Sequence, residues 1–138
     1  MNRFLLDTHI WIWVQQRDTS KLSSAAFRTV EVWQREQRLF LSAISAWEIA
    51  LLEQAGRIRL GMPPERFLDL ATQDGGFQLL PVSPRILIES VRLPGDLHRD
   101  PADRILAATA RESGLTLVTR DDRLLEYAAQ GHLNARQL

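Results

Sequence analysis

Phe4-Leu5-Leu6-Asp7 is the stretch from which the fold can be read. Three consecutive apolar residues lack the alternation of a strand with one wet face. They read as a short strand covered on both sides, and the run ends abruptly on a carboxylate. Leu39-Phe40-Leu41, running on toward Ile44, has the same character. So do Phe77-Gln78-Leu79-Leu80-Pro81-Val82 and Leu115-Thr116-Leu117-Val118-Thr119, the latter rich in β-formers. A weak last strand is expected within residues 133–138. Between these runs, apolar spacing predicts helices over residues 10–16, 22–38, 46–55, 64–73, 84–93, 102–113 and 122–129. Strand and helix alternate, which predicts an α/β fold: a mainly parallel sheet covered on both faces by helices, with right-handed crossovers. In such open sheets ligands bind beyond the carboxyl ends of the strands, where the strand order reverses.

The bulk properties fit that reading. A chain of 138 residues is expected to form a single domain, and 45% hydrophobic with 25% charged residues is an ordinary globular composition. The absence of cysteine excludes disulfides, zinc-thiolate sites and thiol nucleophiles, so any metal must be held by oxygen or imidazole. No apolar run approaches the roughly 20 residues that span a bilayer, and no signal-peptide pattern opens the chain, so a cytoplasmic protein without a membrane partner is expected. Basic and acidic residues balance at 17 each, so net charge offers no argument for a polyanionic partner. Lys21 is the only lysine; arginine, the better bidentate phosphate ligand, makes up the rest of the basic set.

The carboxylates carry the functional question. Asp7 sits where the first strand gives way to a loop, placed either to face the crevice or to cap the helix that follows. Glu48 is the only polar residue in Ala46-Trp47-Glu48-Ile49-Ala50-Leu51-Leu52, an apolar surrounding that a lone carboxylate tolerates only when paired or metal-bound. Ser45-Ala46-Trp47-Glu48 has equally the spacing of a capping box. In Asp100-Pro101-Ala102-Asp103 a proline suits the first helical position, so both aspartates have a capping or dipole explanation. Asp121, with Asp122, follows Leu117-Val118-Thr119-Arg120 at another strand-to-helix junction. Each acid alone can be a cap, but several elements present one on the same side of the sheet, and caps have no reason to converge. Hard oxygen ligands without cysteine suit Mg²⁺ or Mn²⁺, which activate water at phosphodiesters. Arg99, Arg104, Arg120 and Arg123 lie beside the aspartates, where Arg99 and Arg120 are candidates for substrate contact or for local ion pairs. His9 and His98 flank the motifs as candidates for substrate contact, with a surface or locally hydrogen-bonded histidine the expected reading for each.

Leu5-Leu6-Asp7-Thr8-His9, Ser42-Ala43-Ile44-Ser45-Ala46-Trp47-Glu48-Ile49, His98-Arg99-Asp100-Pro101-Ala102-Asp103-Arg104 and Leu117-Val118-Thr119-Arg120-Asp121 occur in this order and span nearly the whole chain. Together they resemble a PIN-domain toxin of the VapC type. The resemblance implies a three-layer α/β/α PIN-like fold and an endoribonuclease dependent on Mg²⁺ or Mn²⁺ that leaves 5′-phosphate and 3′-hydroxyl ends. It maps the family's acidic residues onto Asp7, Glu48, Asp103 and Asp121, with Asp100 as an additional acidic position and Thr119 as a hydroxyl near the metal. It also implies an RNA substrate, a small cognate antitoxin lying across helices near the site, and a homodimer. Ala102 departs from the pattern, where related motifs often carry a bulkier aromatic.

All four tryptophans fall within the first 47 residues. Trp47, among apolar neighbours, is expected in the core. Trp11 and Trp13 lie on different faces of one helix, so one of them is expected at an antitoxin or dimer interface. Two other readings remain at this point: a receiver-like or phosphatase-like domain phosphorylated on Asp7, and a non-catalytic module taking a partner peptide in an acidic cleft.

Overall fold

Successive side chains of a strand point to opposite faces of its sheet, and the apolar triplet Phe4–Leu6 (β1) uses both. Phe4 and Leu6 join one hydrophobic core, while Leu5 joins a second on the other side. Leu39–Ser42 (β2) and Thr116–Val118 (β4) divide in the same way: Leu39, Leu41 and Val118 face the first core, Phe40 and Leu117 the second. Two apolar faces require two covering layers. A computed structural model describes residues 1–138 and supplies both.

The first layer contains Thr8–Gln15 (α1), Ser24–Arg35 (α2), Ala43–Gln54 (α3) and Pro64–Asp69 (α4), which runs on into a wider π turn over Leu70–Asp74. Its core is filled by Trp11, Phe27, Trp33, Ile49 and Phe67. The second contains Pro84–Val91 (α5), Pro101–Ser113 (α6) and Asp122–Ala129 (α7). There α6 is the most deeply set helix, with Ala102 and every residue from Ile105 to Ala110 buried. Gly114 ends it in the left-handed region at φ 66°, a conformation glycine adopts without a Cβ penalty, and the chain turns directly into β4.

All five strands are parallel, in the order β3-β2-β1-β4-β5, where β3 is Gln78–Leu80 and β5 is Ala135–Arg136. From β1 the chain builds outward through β2 and β3, then returns to place β4 on the other side of β1. The order therefore reverses between β1 and β4. The Asp7 amide donates to the Val118 carbonyl at 2.9 Å, holding the two carboxyl ends together at that switch point.

The sequence-based expectations need four corrections. The run 77–82 is not a doubly covered strand: β3 is an edge strand whose Gln78 and Leu79 are exposed. The helix expected over 22–38 spans Ser24–Arg35, because Gln37 takes φ 56° and turns the chain into β2. The helix expected to start at residue 46 starts at Ala43, capped by the Ser42 hydroxyl, so Ser45 lies inside it and forms no capping box with Glu48. Trp47 is 51% exposed rather than in the core, and Leu51, one turn on, is 43% exposed. Only Ser45 and Ile49 of α3 are buried, so this helix is apolar on its solvent side as well.

Candidate active site

At the β1/β4 switch point the aspartate that ends the first strand meets the threonine that ends the fourth. Thr119 Oγ1 donates to Asp7 Oδ2 at 2.7 Å, and the Thr8 amide donates to Asp7 Oδ1 at 2.7 Å. The Thr119 oxygen in turn accepts the Asp121 amide at 3.0 Å. One buried hydroxyl thus fixes two acidic residues that are 114 positions apart in the chain. Asp7 serves both readings offered by the sequence, because it caps α1 while lying in the crevice.

Glu48 approaches from α3. Thr8 Oγ1 donates to Glu48 Oε1 at 2.5 Å and lies 2.8 Å from Ser45 Oγ. A hydroxyl has one proton, so with Thr8 donating to the carboxylate, Ser45 donates to Thr8. Asp103 comes from the first turn of α6, where its Oδ2 lies 2.6 Å from His98 Nε2. His98 Nδ1 is buried without a protein partner. Asp100 caps α6, accepting the Asp103 amide at 2.9 Å, as a structural aspartate would. Asp121 caps α7 through the amides of Arg123 and Leu124, at 2.8 and 3.3 Å. The Arg123 guanidinium lies 3.3 Å from Asp121 and 3.9 Å from Asp103.

These groups face one cavity of about 340 Å³, lined by Asp7, Glu48, Asp100, Asp103 and Asp121 together with His9, Trp13, Arg120 and Arg123. The N-termini of α1, α6 and α7 end on it, and their partial positive charge offsets some of the acidic density. Much remains. Burial pushes the Asp7 carboxyl up to about 6, against the opposing Thr119 hydrogen bond and with repulsion from Asp103 adding to the rise. Burial likewise lifts Glu48 to about 7, opposed by Thr8 and reinforced by Asp7, Asp103 and Asp100. Asp103 is raised by burial and by Asp100 and Asp121, with His98 working against it. Asp121 goes the other way: burial raises it, but the hydrogen bonds from the Arg123 side chain and from the Arg123 and Leu124 amides win and hold it below its usual value.

An all-oxygen set of carboxylates that resist ionising together is suited to a hard divalent cation, which would compensate their charge. The side chains are engaged with Thr8, Thr119, His98 and Arg123, and no three of them already stand in the arrangement that grips an ion. The fit is therefore one of donor chemistry and placement.

The four acids singled out in the sequence come together, as does Thr119. Arg120 lines the cavity, but Arg99 is exposed outside it, and Arg104 is spent on the backbone carbonyls of Ser90, Leu97 and His98. His98 makes the local hydrogen bond expected of it, to Asp103, whereas Thr8 and Ser45 belong to the site without a sequence signal that singles them out. Thr8 and Ser45 do sit inside the quoted motifs, one beside Asp7 and the other one turn before Glu48.

A family model described as PIN domain matches residues 4–130. The chain belongs to the PIN-domain family. It is 35% identical over 127 residues to Ribonuclease VapC22 of Mycobacterium tuberculosis, covering 92% of this chain and 93% of that protein. Among solved structures, this PIN domain resembles VapBC2 from Rickettsia felis bound to a promoter DNA fragment, with a TM-score of 0.69, 15% identity and 97% of each chain covered. It also resembles DNA-bound VapBC from Salmonella typhimurium, with a TM-score of 0.65, 22% identity and 99% and 98% covered. At these identities the two structures establish the PIN fold alone.

Proposed function

We infer that this PIN domain, taken as one unit over residues 1–138, is a metal-dependent endoribonuclease and the toxin of a toxin–antitoxin pair. The observation that carries the reading is the gathering of Asp7, Glu48, Asp103 and Asp121 from four separate elements at the switch point of the sheet. The similarity to a curated ribonuclease over almost the full length supports the choice of RNA as substrate.

In this reading Asp7, Glu48, Asp103 and Asp121 hold Mg²⁺ or Mn²⁺, with Asp100 as an accessory acid at the rim. Bound there, the ion supplies Lewis acidity toward the phosphodiester and lowers the pKa of water. The chain's own residues set the stage. Thr119 keeps Asp7 and the start of α7 in register, and Thr8 with Ser45 aims Glu48 inward. Arg120 and Arg123, at the edge of the acidic cluster, meet the anionic RNA backbone. Hydrolysis then leaves 5′-phosphate and 3′-hydroxyl ends. Incubation of the purified chain with structured RNAs tests this: cleavage is expected with Mg²⁺ or Mn²⁺ and none with chelator. Equal cleavage in chelator overturns the metal requirement, and no cleavage under any condition overturns the nuclease.

Thr119→Val is nearly isosteric but cannot donate to Asp7 or accept from Asp121. A loss of about 10- to 100-fold in metal affinity or turnover is expected, with Thr119→Ser restoring most of it. Titration of metal-dependent cleavage in both variants measures this.

The antitoxin fits the outer face of α3. Trp47 and Leu51 border a cleft of about 550 Å³ that also contains Leu52, Arg57, Pro101 and Glu48. Glu48 lines both this cleft and the carboxylate cavity, so a chain lying on the apolar face reaches the catalytic acids. The smaller Ala102 at the cleft floor leaves it room. Leu51→Glu is expected to weaken the toxin–antitoxin complex at least about tenfold while cleavage by the free toxin persists. Competition binding and RNA cleavage measured on the same preparation decide it.

A further inference from the structure

One face of α1 leads outward from Asp7 through His9 to Trp13, four residues further and therefore above it on the same side. Trp11 is fully buried against Phe67, whereas Trp13 is only partly buried and is the only large aromatic lining the carboxylate cavity. Two cations attend its ring. The Arg120 guanidinium carbon lies 5.5 Å from the ring centroid and Lys21 Nζ lies 5.7 Å from it. Arg120 also donates to the Lys21 backbone carbonyl, which ties the strand-end loop to the loop after α1. The His9 ring stands 5.9 Å from the indole at 52°.

An indole packed for stability alone would be covered, as Trp11 is. Trp13 packs one side against the first core and leaves the rest of its ring toward the charged cleft, where a cation–π contact by itself adds little stability. A half-buried indole with two long cationic side chains over it complements the two halves of a nucleotide: the cations turn to the phosphate, and the base stacks on the ring they leave.

We propose that Trp13, flanked by Arg120 and Lys21, is a base-stacking subsite that holds the unpaired nucleobase of a nucleotide adjoining the scissile phosphate. The proposal rests on the ribonuclease reading and extends it to the contact that holds a base beside the cut. A stacked base must be free of its own helix, so the cut falls in single-stranded or loop RNA. Every base offers a π face, so the subsite selects strandedness more than sequence.

The test begins with a single-stranded RNA that the wild-type chain cuts, remade with each of the two bases flanking the cut removed in turn. Binding is read by fluorescence anisotropy in an Asp7→Asn background, where the RNA stays intact. Loss of one of the two bases is expected to weaken binding roughly 5- to 150-fold. Trp13→Ala is expected to weaken binding of the intact RNA to the same extent and to leave binding of that abasic RNA unchanged, while Trp13→Phe retains most of the affinity. In cleavage assays the Trp13→Ala change appears mainly in KM. The abasic comparison needs no variant of Trp13, so it still decides the matter if Trp13→Ala misfolds. Equal affinity for intact and abasic RNAs overturns the subsite, as does a Trp13→Ala effect that is the same on both. A Trp13→Ala protein that binds RNA normally but loses its antitoxin also overturns it, assigning the ring to the protein partner. Failure of the wild-type chain to cut any RNA overturns the ribonuclease reading and the subsite with it, whereas cleavage without a base effect removes the subsite alone.

Discussion

Asp7→Asn is expected to lower RNA cleavage at least about a thousandfold while raising the melting temperature of the metal-free protein. The activity loss follows from removing a charge at the centre of the set proposed to hold a divalent ion. The stability gain follows from the same burial. Asp7 is 8% exposed, its carboxyl is lifted to about 6, and Asp103 repels it, so at pH 7.5 the folded chain carries a charge that the unfolded chain holds at lower cost. Asparagine keeps an oxygen for the Thr8 amide and can turn its NH₂ toward the Thr119 oxygen, so the local hydrogen bonds are largely retained. Relief of about 1–2 kcal/mol corresponds to several degrees in a chain of this size. Cleavage rates and thermal melts of the two proteins in chelator check both halves. A variant that cuts at the wild-type rate removes Asp7 from the reaction, and one that melts lower shows that the carboxylate stabilises the fold.

That opposition between stability and activity marks which features the sequence could disclose. The strands β1 and β2 are legible because a short uninterrupted apolar run bounded by polar residues suits burial on both faces of a sheet, and β4 because Leu115-Thr116-Leu117-Val118-Thr119 is rich in β-formers. The end of β1 is legible for the same reason, since a carboxylate cannot continue such a run, and polar residues close β2 and β4 likewise. This is why Asp7 and Asp121 were readable from position, and why Asp103 was separable from Asp100 only through the family pattern. The two differ in what they touch: Asp100 is spent on its own helix amide, and Asp103 reaches His98 and Arg123.

Tertiary placement was not legible. An apolar helix reads the same whether its outer side is covered by its own chain or awaits another, so Trp47 and Leu51 looked like core and are surface. The run at 77–82 looked like β1 because composition does not say whether a strand has a neighbour on both edges. Thr8 and Ser45 are not legible in the sequence because what they share is a contact across 37 residues of chain. Short hydroxyl side chains carry no periodic signal, and only packing α1 against α3 brings them together beneath Glu48.

The stability of the metal-free protein is expected to fall as pH rises from about 5 to about 7.5, and saturating Mg²⁺ is expected to remove most of that fall. Asp7 moves from 3.8 unfolded to about 6 folded, and Glu48 from 4.5 to about 7. Between the unfolded and folded values the native state binds more protons than the unfolded state, so stability declines with increasing pH through that window and levels off above it. The rise at Asp7 alone corresponds to about 3 kcal/mol as an upper bound. Ionising one carboxylate raises the cost of ionising the other, so the steepest loss is expected between about pH 5 and about pH 6, where the unfolded chain has released both protons and the folded chain still holds them, with a shallower fall continuing above it. A cation reverses the preference, because it binds the ionised oxygens, and its affinity therefore increases with pH. Mg²⁺ should raise the melting temperature little at pH 5 and by several degrees at pH 8. The rest of the chain titrates too, so the decisive quantity is the difference between the wild type and the Asp7→Asn, Glu48→Gln double variant, measured across pH with and without Mg²⁺. A difference that stays constant from pH 5 to 8 without metal, or a double variant that Mg²⁺ stabilises as much as the wild type, would show that the two carboxylates neither strain the fold nor hold the ion.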